Sequence, residues 1–324
     1  MSSKPLKLKS EIAKNTRLPE FPTFTTLGPH HQVTISVATR SDPLYSDYNF
    51  ISLWSWDHQE KLKLCQLNKN LVVRFQDYLN PNNFYYSFWG KNKIHETAKQ
   101  LLLHSENEGK PELRLIPQFV VENLKHKNKF VIMEDRDSFD YIVAVNDMIE
   151  LKNAENSSKR HGLNKFIKEY GEKLSVQELD IKAPKSPIEM LNVIKSWQDQ
   201  MGLHDSYSEN ELEAVKKILF SHHQINTDNL HVVGIYLDNK LKAFSINELM
   251  NSGFAMGHYK KADRTFRGLG VALDHYTAKS LASKGVTHLN HEQDLGIEGL
   301  RKSKMASHPV HFLKKYTISL PPKK

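Results

Sequence analysis

Two carboxylates, Glu292 and Asp294, stand two residues apart in the segment NHEQDLG. Side chains at that spacing leave the same side of an extended strand, so both enter one site if the strand persists through them. A carboxylate beside the attacking hydroxyl or amine of an acyl transfer takes its proton, and burial next to a second negative charge raises its pKa toward a useful value. Glu292 is the preferred base. For Asp294 the competing reading is a helix N-cap ahead of GIEGLRKS, a common place for a carboxylate. Arg301, Lys302 and Lys304 follow, with His308 and His311 just beyond. Arg301 and Lys304 share a helical face and could orient an anionic donor or face an oxyanion. A basic last turn also complements the helix dipole, which is the plainer reading of Lys302.

A second chemical signal is the turn RGLG, Arg267 to Gly270, where a strand passes into a helix. Gly268 and Gly270 leave backbone amides bare at a positive helix end, an arrangement that admits a phosphate. In acyltransferases of the GNAT type such a turn holds the coenzyme A pyrophosphate, which makes acyl-coenzyme A one candidate donor, with Arg264 and Arg267 supplying charge. Thr265 stands where those enzymes usually carry Gln or Arg, and an ordinary glycine turn is the alternative. In SSKRHGLNKFIKEYG, Leu163, Phe166, Ile167 and Tyr170 recur at helical spacing, with His161, Lys165 and Lys168 opposite. Lys159 and Arg160 flank the apolar side, Arg160 carrying the greater weight as an anion-binding residue.

The histidines, 17 in all, lack an HExxH pattern or any cysteine partners, so no metal site is expected. No GxSxG elbow, Walker loop or GxGxxG turn is present, which argues against hydrolase, P-loop and dinucleotide classes.

The elements that must position these residues read as follows. In the first half come a strand VTISV, a hairpin LKLCQL/NKN/LVVRF, a strand FYYSFWG, a helix IHETAKQLLLHSENE closed by Gly109, and strands KFVIM and YIVAV, with a helix near the end of LRLIPQFVVENLKH starting at or after Pro117. The second half gives the helix just described, a strand near VQELDI, helices PIEMLNVIKSWQDQ and ENELEAVKKILFSHH, an antiparallel run HVVGIYL, LKAFSINEL, FAMGHYK, the helix GVALDHYTAKSLASK, the strand VTHLNHEQ, the helix GIEGLRKSKMA and a final strand FLKKYTISL. This order predicts an α+β fold built as a tandem of two GNAT-like lobes, over 30–150 and 151–324, preceded by an arm at 1–29.

At 324 residues the chain exceeds the size of a single core, in keeping with two lobes. No apolar run approaches the length of about 20 residues that crosses a bilayer, and MSSKPLKLKSEIAKNTR has no apolar signal core; a cytoplasmic location is expected. The lone Cys65, in LKLCQL, reads as a buried thiol in a reducing compartment. Of the net charge of +8, residues 151–324 hold most, with 26 Lys+Arg against 19 Asp+Glu. Such an excess suits phosphate-bearing partners as well as a merely solvated surface.

Three segments, HYKKAD at 258–263, KRHGLNKFIKEY at 159–170 and NHEQDLGIEGLRKSKMASHPVHFLKKY at 290–316, carry a family resemblance. They are similar to the C-terminal catalytic domain of bacterial phosphatidylglycerol lysyltransferases. The resemblance implies a tandem of GNAT-like lobes, transfer of an aminoacyl group from aminoacyl-tRNA, and an acceptor such as anionic phospholipid. It further singles out Lys260, Arg160, Glu292, Asp294, Arg301, Lys304 and His308 as site candidates, with Lys260 counted among the catalytic ones; His161 stands where the family has Asn. Two rival readings remain: an acyl-coenzyme A-dependent N-acyltransferase with a small amine acceptor, and a non-catalytic RNA- or lipid-binding module.

Overall fold

The computed structural model describes residues 17–40, 45–57, 59–77, 83–152, 154–202 and 206–322; most of the expected N-terminal arm lies outside them. The chain divides into two compact units, residues 1–139 with 313–324, and 140–312.

In chain order the first unit holds β1 (Thr25–Thr26), α1 (Gln32–Thr39), α2 (Phe50–Trp56), β2 (Lys63–Leu67), β3 (Asn70–Gln76), β4 (Phe84–Trp89), α3 (Ile94–Asn107), β5 (Glu112–Pro117), α4 (Gln118–Glu122) and β6 (Val131–Glu134). Then follow β7 (Asp140–Ala144), α5 (Val145–Glu150), α6 (Ser157–Tyr170), β8 (Leu174–Leu179), α7 (Lys185–Met201), α8 (Ser206–Phe220), β9 (Leu230–Leu237), β10 (Lys240–Leu249), β11 (Phe254–Ala262), α9 (Leu269–Ser283), β12 (His288–Asn290), α10 (Glu298–Met305), β13 (His311–Leu313) and β14 (Lys315–Ser319). Two seven-stranded sheets result, ordered β1-β2-β3-β4-β5-β14-β6 and β13-β7-β12-β11-β10-β9-β8. Each holds a parallel pair, β4 with β5 and β11 with β12, among antiparallel neighbours. This is the mixed, helix-flanked α+β arrangement expected from the element order.

Local chemistry accounts for most elements. The β2–β3 hairpin turns on Asn68 and Lys69, both at positive φ (53° and 65°), the backbone that a two-residue primed turn demands. On α3, Ile94, Ala98, Leu101, Leu102 and Ser105 are buried at helical spacing, and Gly109 (φ 73°) follows in the left-handed conformation. Cys65 is buried on β2, and burial pushes its thiol up to about 12, so it is an inert core residue.

Three expectations need correction. VTISV is the helix α1, not a strand: only Ile35 among its alternating apolar residues is buried, Val33 and Val37 are exposed, and Thr39, four residues after Ile35, bonds the Ile35 carbonyl and completes a helical face. LRLIP lies in the strand β5, which was not among the expected elements. The final strand of the second half is two strands, β13 in the second sheet and β14 in the first, where it lies between β5 and β6.

The second unit has two apolar clusters against its sheet. Phe166, Leu163, Ile235, Leu269 and Leu273 pack α6 and α9 on one part, and Val143, Met148, Ala278, Leu281 and Leu289 pack α5 and α9 on another. A fully buried side chain such as Phe166 contributes about 1.5–3 kcal/mol. α9 is therefore fixed at both ends, and with it the strands β11 and β12 that lead into and out of it.

Candidate active site

β11 and β12 run parallel through only three pairs, Phe254 with His288 to Met256 with Asn290. β12 then stops while β11 continues to Ala262, and the candidate site develops where the ladder ends. On its other edge β11 carries a bulge: Gly257 pairs with Asn247 and Tyr259 with Ile246, leaving His258 as the inserted residue. Bulges re-aim side chains in this way. The His258 ring, 1% exposed, lies between two carboxylates, with Nδ1 3.0 Å from Glu292 Oε1 and Nε2 3.3 Å from Glu248 Oε2. Burial alone would lower its pKa, but the two carboxylates outweigh it and raise it to about 9, so His258 is an imidazolium at neutral pH.

Glu292 sits at φ 57°, a left-handed backbone that costs a residue with a side chain about 1–2 kcal/mol. Two bonds hold it there: its amide donates to Asn290 Oδ1 (2.7 Å), and its carbonyl accepts from the Tyr141 amide (3.3 Å). Asn290 is anchored in turn on Asp140.

Asp294 has different partners. It is fully buried; Arg301 donates to it through Nε (3.0 Å) and Nη2 (2.8 Å), the Gly296 amide donates to Oδ1 (2.8 Å), and the Tyr141 hydroxyl donates to Oδ2. Burial works to raise its pKa, yet these donors hold it below the usual carboxylate range. The two carboxylates thus have different hydrogen-bond partners, while the charges of both bear on the Lys304 ammonium. The strand ends at Asn290, and the left-handed backbone at Glu292 breaks the alternation that would have aligned them. Asp294 is not the N-cap of α10 either; Ile297 is.

Cations gather around His291. Lys304 donates to the carbonyls of His291 (2.7 Å) and Gln293, and burial, only partly offset by Glu292, Asp140 and Asp294, lowers its ammonium to about 8. Lys260 pairs with Asp274 at 2.7 Å. Lys159 is lowered by burial and by Lys260, with Asp274 opposing. Burial and these three ammonium groups push His291 well below its ordinary value, so it is neutral. Such a cluster can hold an anionic or carbonyl-bearing group beside a carboxylate, and the depressed pKa of Lys304 suits proton transfer near neutral pH.

The family described as phosphatidylglycerol lysyltransferase, C-terminal, matches residues 40–319, most of the chain. The chain belongs to that family. A conserved protein of unknown function from Bacteroides thetaiotaomicron is similar in structure with a TM-score of 0.77 at 23% identity, over 92% of this chain and 99% of that one. The C-terminal domain assigned as part of a lysylphosphatidylglycerol synthetase from Agrobacterium fabrum gives 0.60 at 12% identity, covering 90% and 92%. L-PGS from Bacillus licheniformis gives 0.59 at 12%, covering 94% of each. At these identities the likeness establishes the fold, which is the GNAT-like one. No curated protein matches the chain in sequence.

Within this phosphatidylglycerol lysyltransferase-type domain, Glu292, Lys260 and Lys304 come together around His291. Arg301 serves Asp294. Arg160 is exposed and donates to the Leu151 carbonyl, whereas its neighbour Lys159 turns inward; His308 pairs at the surface with Glu155 (3.1 Å). Gly268 (φ 94°) has a packing role: a Cβ there would lie 2.8 Å from the Gly162 carbonyl on α6. Gly270 is exposed with open space around it, and Arg267 is exposed. His258, Glu248, His291 and Lys159 were missed as site residues. His258 and His291 lie inside the segments HYKKAD and NHEQ, so the signal was present, but histidine was weighed there only as a metal ligand. Among the described residues no helix is long and apolar enough to cross a membrane.

Proposed function

We propose that this chain is an aminoacyltransferase that moves an aminoacyl group from aminoacyl-tRNA to a hydroxyl or amine acceptor. The observation that carries the reading is the end of the β11–β12 ladder, where Glu292, bonded to the buried His258 imidazolium, shares a small region with Lys260 and Lys304. Family membership supports the reaction class. The acceptor's oxygen or nitrogen attacks the ester carbonyl carbon while Glu292 takes its proton. The oxyanion of the tetrahedral intermediate faces the lysine cluster. The bond to the ribose oxygen then breaks, and that oxygen takes a proton from Lys304. The proton on Glu292 passes to Lys304, directly or by exchange through solvent, which restores the starting state. No cofactor enters this sequence.

The acceptor is expected among molecules that tolerate a basic surface, either anionic phospholipid or a small amine. Acyl-coenzyme A is the rival donor. The packing role of Gly268 removes part of its motivation, since that glycine is accounted for without a phosphate.

The test offers the purified chain radiolabelled aminoacyl-tRNA or radiolabelled acetyl-coenzyme A, each with phosphatidylglycerol vesicles or a panel of amines. Label moving from aminoacyl-tRNA, and lost on Glu292→Gln, is the expected result. Transfer from acetyl-coenzyme A alone contradicts the donor assignment. Salt-dependent binding of tRNA or vesicles without turnover from either donor contradicts the enzyme reading.

A further inference from the structure

Glu248 stands one step behind Glu292. It lies on β10 opposite Met256, just past the bulge that inserts His258 into β11, and its side chain is mostly buried. Its carboxylate meets Nε2 of the His258 ring at 3.3 Å, while Glu292 takes Nδ1 at 3.0 Å. A neutral imidazole has one N–H and one lone pair, and a lone pair facing a carboxylate oxygen at such a distance is repulsive. Carboxylates at both nitrogens therefore select the doubly protonated ring, in line with the raised pKa of His258. The main chain of Glu292 lies beyond the end of β12 and is held by Asn290 and Tyr141; the bond to His258 then holds its carboxylate.

Two consequences reach Glu292 from Glu248. With Nε2 bonded to Glu248, the buried ring keeps that proton and cannot turn over, so Nδ1–H stays aimed at Glu292 Oε1. The second consequence concerns charge. A lone imidazolium favours the ionised form of its carboxylate partner and so weakens it as a base. The charge of Glu248 offsets that of the ring, which leaves Glu292 oriented by an N–H yet still able to take a proton. A base held by a donor that is itself held by a third group is a recurring way to fix a catalytic side chain. We infer that Glu248 is a positioning residue for the aminoacyl transfer, acting through His258 to fix the orientation of Glu292 and preserve its basicity. The inference deepens the proposed transfer and rests on it.

The test begins with proton–nitrogen correlation spectra of the full chain carrying isotope-labelled histidine, His258→Gln supplying the assignment. Wild type should show both ring nitrogens of His258 protonated at neutral pH, and Glu248→Gln should move the ring's titration to lower pH. Single-turnover transfer from aminoacyl-tRNA gives the second readout. Glu248→Gln should slow it about tenfold, within the span of directly coupled neighbours, with donor affinity unchanged. In a His258→Gln background the same substitution should slow it no further, which separates action through the ring from a general loosening of β10. Glu248→Asp keeps the charge but withdraws it by one carbon; its rate should fall between, and it carries the test if Glu248→Gln fails to fold by circular dichroism. A singly protonated ring in wild type, an unshifted titration in Glu248→Gln, a full transfer rate in that variant, or a loss undiminished in the His258→Gln background overturns the inference. Its failure is separable from that of the transferase reading. Transfer by wild type at a rate that Glu248→Gln leaves unchanged sinks the role of Glu248 alone. A titration shifted by Glu248→Gln, without transfer to any acceptor, sinks the transferase reading and leaves the coupling of Glu248 to the ring beside Glu292 in place.

Discussion

Arg301→Ala should destabilise the second unit strongly, and in a way that depends on pH. Asp294 is fully buried, and Arg301 supplies two of its donors and its neutralising charge. Removing one partner of a buried pair costs about 3–5 kcal/mol. The Arg301 side chain is 35% exposed, so water can enter part of the space it vacates; Tyr141 and Gly296 also remain as donors. Both points place the expectation at the lower end, about 3 kcal/mol at neutral pH. In the wild type the folded pKa of Asp294 is depressed, so its contribution is present above the unfolded value of about 3.9 and is lost as pH falls through the folded one. Without Arg301 burial dominates and the folded pKa rises above the unfolded value. The deficit of the variant is then full at neutral pH and shrinks as acid protonates Asp294. Urea unfolding followed by circular dichroism at pH about 7 and about 4.5 measures both deficits, and Asp294→Asn added to Arg301→Ala should recover stability at pH about 7 because no charge is left buried. A deficit below about 1 kcal/mol, or one equal at the two pH values, would refute the claim that Arg301 exists to neutralise Asp294.

His258 is raised from 6.5 to about 9, so its ion pairs contribute fully below about 6.5 and the contribution fades as pH climbs through 9. The wild type should lose on the order of 3 kcal/mol across that window, and His258→Gln should lack that alkaline loss while starting less stable; urea midpoints at the two ends of the window check both. Gly268→Ala should destabilise by roughly 1–2 kcal/mol or more, because of its left-handed φ and the 2.8 Å approach to the Gly162 carbonyl. Gly270→Ala, open on all sides, should be neutral to slightly stabilising in thermal unfolding and should leave donor KM unchanged; a raised KM would restore the phosphate-loop reading of RGLG.

The fold was legible where each residue's local preference agreed with its tertiary place. Asn68 and Lys69 fix a hairpin and Gly109 follows a helix regardless of what surrounds them. VTISV failed because β-branched alternation fits a strand, while the neighbours of α1 bury only Ile35 and Thr39. The exchange of β14 into the first sheet leaves no trace in a window of sequence, since KKYTISL reads as a strand whichever sheet receives it.

The site was half legible for the same reason. Glu292, Lys260 and Lys304 stood out by charge and by family resemblance. The convergence of Glu292 with Asp294 assumed that the strand continued past Asn290, and a left-handed residue two positions later cancels that assumption. His258 owes its position to a one-residue bulge, and the choice between Lys159 and Arg160 rests on about 100° of helix rotation, which only the packing of Leu163 and Phe166 sets.

The central claim is that Glu292, beside the imidazolium of His258 and the lysines of the β11–β12 ladder end, transfers an aminoacyl group. Single-turnover transfer of label from aminoacyl-tRNA by wild type and Glu292→Gln tests it most directly. The account predicts a rate lower by about 100-fold or more in the variant, the usual scale for a general base, with donor binding retained. Equal single-turnover rates in the two proteins would contradict it.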